Sequence, residues 1–264
     1  MRILIAAKHP PGGKLAIGGV QSWCMTVATE LRRIGHEVET WGPELPLTHK
    51  RFDAGIFANV AYTAKALPLC DKVLNVSHGI IPAEQPGHGL RHAFTSEGVK
   101  RHWGGCGQII RQPIDLEFWS PTADRGQQLL RYSYRSGLPF VADIARDMGV
   151  NYEHLRQASH EQARQAMRGS VCVLATGRAA LEAMACGVPV LICDHRSSYQ
   201  GPLVSYSPAS QMLEKYSGRG GMIATRATVE HGAKDAIRDG SLRAHVETHH
   251  DARKVTAELL CLLS

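Results

Sequence analysis

Thr176-Gly177-Arg178, with Glu182 four residues further on, puts a tight turn, a cation and a carboxylate close together directly behind the apolar run Val171 to Leu174. The amides at a helix start lack intrahelical partners and bind anions. Gly177, Ala179 and Ala180 are small enough to let a phosphate approach the backbone closely. Arg178 falls in the first helical turn, where a cation is disfavoured unless an anion is present. Glu182 lies in the apolar stretch Ala179 to Cys186 and is costly to bury unless paired or hydrogen-bonded, so it reads either as a structural salt bridge or as an acceptor for ligand donors. Three further positions carry chemistry. Gly18-Gly19 opens a helix behind the first strand, and it either allows close phosphate approach or forms a turn at positive φ. His78 follows an apolar strand, where an imidazole can hydrogen-bond a hydroxyl or stabilise a reacting centre, or can be a satisfied core histidine. Arg135 offers a planar fork for phosphate oxygens.

The elements that must position these residues alternate along the chain. Arg2 to Ala7 reads as a strand, followed by a glycine-bearing loop from His9 to Gly19. Val20 to Ile34 reads as a helix with Val20, Trp23, Val27 and Leu31 on one face, stopped by Gly35. Glu37 to Trp41, Ala54 to Ala58, Val73 to Val76 and Ala93 to Thr95 follow as short strands. The proline- and aromatic-bearing segment Arg111 to Pro121 suits a crossover between two domains, residues 1–113 and 114–264. Beyond it come a strand (Gln128 to Tyr134), helices (Leu138 to Met148, His160 to Met167), the strand-helix-strand unit around Glu182 ending in Val190 to Cys193, and a last strand (Met222 to Thr225). Helices from Val229 to Ile237 and Leu242 to Leu263 finish the chain, the last of them able to pack back on the first domain. Ser197 to Ser210, rich in Ser, Pro and Gly, comes nearest to disorder. Such alternation favours α/β architecture with parallel sheets whose ligand edge lies at the strand carboxyl ends.

Composition narrows the partners. With 264 residues and 44% hydrophobic content, the chain can bury a sizeable core. The net charge of +6 leans toward the first half. There His88, Arg91, His92, Lys100, Arg101, His102 and Arg111 are opposed only by Glu97, which suits either an anionic partner (nucleotide, nucleic acid or membrane surface) or a solvated basic face. The seven cysteines are scattered with no CxxC and read as reduced residues of a cytoplasmic protein, with Cys186 a packing residue. No apolar run reaches membrane-spanning length, and MRILIAA is too short for a signal peptide's apolar region. His245, His249 and His250 lack the accompanying ligands of a zinc site. The loop after the first strand has no compact GxGxxG, which argues against a nicotinamide enzyme.

Four segments, in order, resemble the nucleotide-sugar glycosyltransferases built from two facing Rossmann-like domains (GT-B), especially their large retaining group. They are Gly18-Gly19-Val20, VSHGIIP (Val76 to Pro82), FTSEGVKRHW with IIRQPIDLEFWSP, and ALEAMACGVPVL, together spanning about residues 2 to 193. The resemblance implies a compact α/β GT-B fold and transfer of a sugar from a nucleotide diphosphate sugar to an acceptor hydroxyl, with retention. It gives Glu182 the ribose diol, Gly18-Gly19 the donor diphosphate, and His78 the reaction centre. Thr176, Gly177, Arg178, Ala179 and Arg135 complete the donor site. Several family features differ. The chain is short for the family, Leu174 occupies the position eight before Glu182 where a second glutamate often stands, the usual Arg and Lys after the first strand of the second domain reduce to Arg135, and one or two strand-helix units read as missing between Met148 and Ser170.

No Asp-x-Asp element is present for a nucleotide-bound metal, so the leaving diphosphate is expected to be met by helix amides, Arg178 and Arg135, with no metal or cofactor. The expected partners are a nucleotide sugar and an acceptor that is a glycan, a small molecule or DNA, with peripheral membrane contact at the basic stretch a further option. One alternative is a DNA glycosyltransferase acting on hydroxymethylated bases, with His102 and Trp103 near a flipped base. The other is a non-catalytic nucleotide- or nucleic-acid-binding protein on the same architecture.

Overall fold

Ile3 and Ile5 join one core and Leu4 and Ala6 another, and all four are buried, as a strand covered on both faces requires. The computed structural model to which this strand belongs describes residues 1–9, 18–123, 126–133, 138–198, 201–205, 211–212, 216–218 and 221–264, without the side chains of 194–198 and 201–205. Its first unit comprises Met1–Pro113 and His250–Ser264. The sheet runs β2 (Glu37–Trp41), β1 (Arg2–Ala6), β3 (Phe52–Ala58), β4 (Cys70–Ser77), β5 (Arg91–Phe94), β6 (Gln108–Ile109), every pairing parallel. Trp23, Val27 and Leu31 of α1 (Gly19–Arg33) and Val255, Leu259 and Leu262 of α9 (Ala252–Leu263) cover the Ile3/Ile5 face. Trp41, Phe57, Val60 of α2 (Val60–Thr63) and Ala66 cover the other.

The second unit, Ile114–His249, has the sheet order β12 (Met222–Ile223), β11 (Gly201–Ser205), β10 (Val190–Ser198), β9 (Ser170–Ala175), β7 (Gln128–Tyr132), β8 (Asn151–Leu155). One face packs Leu130, Val173, Ala175 and Ile192 against α5 (His160–Arg168), α6 (Arg178–Ala185) and Val246 of α8 (Arg243–His249). The other packs Leu129, Cys172, Leu174 and Leu191 against α4 (Val141–Asp147) and α7 (Arg226–Asp239). In both sheets the first strand has the second on one side and the third on the other. Such topological switch points are where open α/β sheets bind ligands, outside the strand carboxyl ends. The β1/β3 switch lies in the first unit and the β7/β9 switch in the second.

Several expectations change. The second sheet is mixed: β11 runs antiparallel to β10 and β12 antiparallel to β11. β11 lies inside the segment expected to be nearest disorder, where ladder pairing with β10 overrides a turn-rich composition. β8 fills the interval where a strand was not expected. Its sequence, Asn151-Tyr152-Glu153-His154-Leu155, is too polar to show a buried pattern because it is an edge strand paired only with β7. The helix expected from Leu138 begins at Val141. The single terminal helix expected over Leu242 to Leu263 is two, α8 and α9, and the break falls where the chain leaves the second unit. Asp251 caps α9 by accepting the Arg253 amide, and His250 Nδ1 bonds the Gln112 carbonyl oxygen at 2.9 Å, tying the returning chain to the outgoing one. On the outgoing side, Asp115 Oδ1 accepts the Glu117 and Phe118 amides, and Ile114 and Trp119 enter the second unit's core.

Candidate functional site

At the carboxyl end of β9 the chain turns through Thr176 and Gly177 into α6. Gly177 is the helix N-cap, with φ 59° and ψ −132°. A Cβ there would meet no atom within 4 Å, so glycine is required by backbone conformation and not by space. Having no side chain, Gly177 cannot cap the amides of Arg178, Ala179 and Ala180. Its own N–H donates to the Tyr216 carbonyl at 2.7 Å. The helix thus starts on a residue with no capping side chain, beside a topological switch point, and helix starts are where backbone amides bind anions.

Arg178 and Glu182 meet on this helix. Arg178 Nε donates to Glu182 Oε1 at 2.8 Å, with the two side chains 7% and 6% exposed. Burial pushes the Glu182 carboxyl above the ordinary carboxylate range, against the opposing pull of Arg178. The pair runs against two local preferences. The cation stands at the positive end of the helix dipole, and the order Arg-then-Glu at i,i+4 is the less favourable one. A sequence that breaks local rules in a buried place usually does so for a ligand or a specific packing arrangement. His160, the first residue of α5, belongs to the same group. Burial and then the Arg178 charge lower its pKa, and its ring packs against Phe118 and Trp119 at centroid distances of 6.4 and 5.9 Å.

In the first unit, Gly18 is extended (φ −107°, ψ 172°) and neither Gly18 nor Gly19 has positive φ, which removes the left-handed turn as their explanation. Gly18 N–H donates to Gln21 Oε1 at 2.7 Å, and a Cβ on Gly18 would stand 2.6 Å from that oxygen. Gly19 is exposed, and a Cβ there would meet nothing within 4 Å. His78 is buried just past β4, its ring edge-on to Trp23 with centroids 4.9 Å apart. The backbone around it is clamped. The His78 amide donates to Glu84 Oε2 at 2.9 Å, Thr95 Oγ1 donates to the Ser77 and His78 carbonyls, and Trp103 Nε1 donates to the Gly79 carbonyl at 2.8 Å. Glu84 Oε1 in turn accepts Asn59 Nδ2 at 2.6 Å, and Asn59 sits in the left-handed region at φ 56° directly after β3. Trp103 is thus tied to the His78 segment.

The sequence reading missed Glu84, Asn59, His160 and Tyr216. Each acts through a contact distant in sequence, and only the left-handed backbone at Asn59 and Tyr216 marks them out locally. Arg135 lies outside the described residues. The basic stretch divides: Arg91 bonds the Leu262 carbonyl of α9, and His92 Nδ1 meets Asn75 Nδ2 at 3.3 Å, while Lys100, Arg101 and His102 occupy the last turn of α3 (Glu97–Trp103), where cations suit the helix dipole. His88, Arg101 and His102 are exposed. His245 Nε2 meets the Tyr216 hydroxyl at 2.6 Å. Among the described residues no group of three His, Cys, Asp or Glu is placed to hold a metal ion, and no helix is long and apolar enough to cross a membrane.

No protein-family model and no curated protein matches this chain. Solved structures do. AviGT4, a glycosyltransferase involved in avilamycin A biosynthesis, superimposes with a TM-score of 0.61 at 14% identity over 99% of this chain and 96% of that one. Sucrose-phosphate synthase from Thermosynechococcus elongatus gives 0.60 at 12% identity over 99% and 98%. An alpha-glucosyltransferase in complex with UDP and a 13-mer DNA containing a central A:G mismatch gives 0.51 at 12% identity over 100% and 99%. The chain therefore has the α/β fold of GT-B glycosyltransferases over nearly its whole length.

Proposed function

We propose that this chain is a glycosyltransferase that takes a sugar from a nucleotide diphosphate sugar, bound by the second unit, and passes it to an acceptor hydroxyl held by the first. The observation that carries this reading is the start of α6, where a glycine N-cap with no side chain opens the helix onto the buried Arg178–Glu182 pair at the switch point of a fold shared with glycosyltransferases. The diphosphate sits against the amides of Arg178 to Ala180, with Thr176 and Gly177 forming the turn and Arg178 supplying a cation. A guanidinium carries five N–H donors, of which Nε–H goes to Glu182. Glu182 accepts the ribose diol, and the motif resemblance gives Gly18, Gly19 and Arg135 the phosphates.

In the transfer, the bond between the anomeric carbon and the diphosphate oxygen breaks with its electron pair going to the diphosphate. The acceptor oxygen bonds the anomeric carbon, and its proton leaves to a diphosphate oxygen. Negative charge thus grows where helix amides and Arg178 stand, which is stabilisation by groups already in place. The motif resemblance gives His78, on its clamped backbone, the reaction centre. The reaction needs no metal or cofactor and retains the anomeric configuration, in keeping with the resemblance of the four motifs. The acceptor is a glycan or small molecule.

A second reading has DNA as the acceptor. It is favoured by the exposed His88, Arg101 and His102 and by the alpha-glucosyltransferase whose structure holds UDP and DNA. The test is a thermal-shift screen with UDP, GDP, ADP and dTDP and their glucose conjugates, followed by an assay for nucleoside diphosphate release with and without hydroxymethylated duplex. A bound ligand at a hundred times its Kd adds about 2.7 kcal/mol of stability, which is an easily read shift. If no nucleotide shifts the transition, the reading fails. Nucleotide binding without sugar release under any acceptor would make the chain a non-catalytic binder.

A further inference from the structure

Among the described positive-φ residues of the second unit, Gly177 and Tyr216 are joined by one hydrogen bond. Gly177, at φ 59° and ψ −132°, donates its N–H to the carbonyl of Tyr216, itself at φ 55°. For tyrosine that backbone is unfavourable, and such outliers persist only where surrounding contacts over-determine them. Here those contacts are plain. The Tyr216 amide donates to the Gln211 carbonyl at 2.8 Å, its side chain is 1% exposed within the second unit's core, and its hydroxyl meets His245 Nε2 at 2.6 Å, with the His249 ring 5.0 Å from that of His245. Gln211 Oε1 also accepts the Gly218 amide at 3.0 Å, closing the turn on its far side.

We propose that Tyr216, held by His245, is a positioning residue for the diphosphate seat. The Tyr216 carbonyl turns the Gly177 amide away from the anion and fixes the peptide that aims the Arg178, Ala179 and Ala180 amides. The strain at Tyr216 is the cost of placing a carbonyl there, and the phenol–imidazole bond holds it. This rests on the nucleotide-sugar reading of α6 and names residues that the sequence motifs do not contain.

The test compares affinities for inorganic pyrophosphate, for the nucleoside diphosphate that most stabilises the wild type among UDP, GDP, ADP and dTDP, and for the matching nucleoside. Tyr216→Phe keeps the ring and loses the hydroxyl. It is expected to weaken pyrophosphate and nucleoside diphosphate about tenfold, the worth of one buried hydrogen bond, and to leave nucleoside affinity unchanged. His245→Leu should do the same, and His245→Gln, which can still accept from the hydroxyl, should restore binding. Wild-type affinity in both Tyr216→Phe and His245→Leu would overturn the positioning role, as would a parallel loss for the nucleoside. A wild type that binds no nucleotide would instead bring down the functional reading itself.

Discussion

Replacing Glu182 by leucine separates what the Arg178–Glu182 pair does for folding from what it does for a ligand. At 2.8 Å and an effective dielectric constant of about 20, the two charges attract by about 6 kcal/mol. Desolvating them costs several kcal/mol per ion, so the pair as a whole is close to neutral. Removing one partner is different, because it takes the carboxylate away from a guanidinium held at 7% exposure. The expected loss for Glu182→Leu is about 3–5 kcal/mol, a large share of a typical total of about 5–15 kcal/mol. The double variant Arg178→Met/Glu182→Leu replaces the pair with apolar side chains of similar size and should recover wild-type stability to within about 1 kcal/mol. Nucleotide affinity should not recover with it. Charge-assisted hydrogen bonds are worth about 1.5–3 kcal/mol each, so losing the carboxylate's grip on a ribose diol should cost at least tenfold. Urea titration of the full chain by circular dichroism and isothermal titration calorimetry with the preferred nucleoside diphosphate read the two effects separately. A Glu182→Leu loss below about 1 kcal/mol would refute the energetics of the buried pair. A double variant that binds nucleotide like the wild type would refute the ligand role.

Burial raises the Glu182 carboxyl above its ordinary 4.5, and a ribose diol donates more strongly to the ionised form, so nucleotide affinity should fall as pH drops through that raised value and Glu182→Gln should remove the titration. Glu39 behaves oppositely. Burial opposes its ionisation, but the Thr48 hydroxyl and amide and then His49 outweigh this and hold it below 4.5. Its contribution to stability is therefore complete above pH 4.5 and lost as pH falls through the lower folded value, and Glu39→Gln should flatten that part of the urea-midpoint profile. Burial pushes the Cys172 and Cys186 thiols up to about 12, so alkylation of the native protein at mildly alkaline pH should modify exposed Cys106 and Cys261 first, as read by mass spectrometry of digested peptides. Rapid labelling of Cys172 would contradict its burial. Asp251→Ala removes the α9 cap and should cost about 1 kcal/mol in the same urea assay, since α9 supplies Val255, Leu259 and Leu262 to the first unit's core.

Local rules were enough for β1, α1 and the β9–α6–β10 unit, because their patterns coincide with their environments. β1 and β9 are buried on both faces and read as apolar runs, while α1 shows an apolar face and stops at Gly35, at φ 89°. The same rules identified Gly177, Arg178 and Glu182 as chemically unusual, since a capless helix start followed by a cation and an apolar-bound carboxylate breaks several preferences at once. Tertiary structure decided what those residues touch. Only the folded chain pairs polar β8 with β7 and β11 with β10, because edge ladders draw on backbone groups that side-chain patterning does not report. The break between α8 and α9 follows from the chain changing units, and helix periodicity continues through it. The bond from Asn59 to Glu84 and the one from Gly177 to Tyr216 join residues far apart in sequence through a carboxylate and a carbonyl, and hydrogen bonds of that kind leave no periodic trace in a chain of side chains.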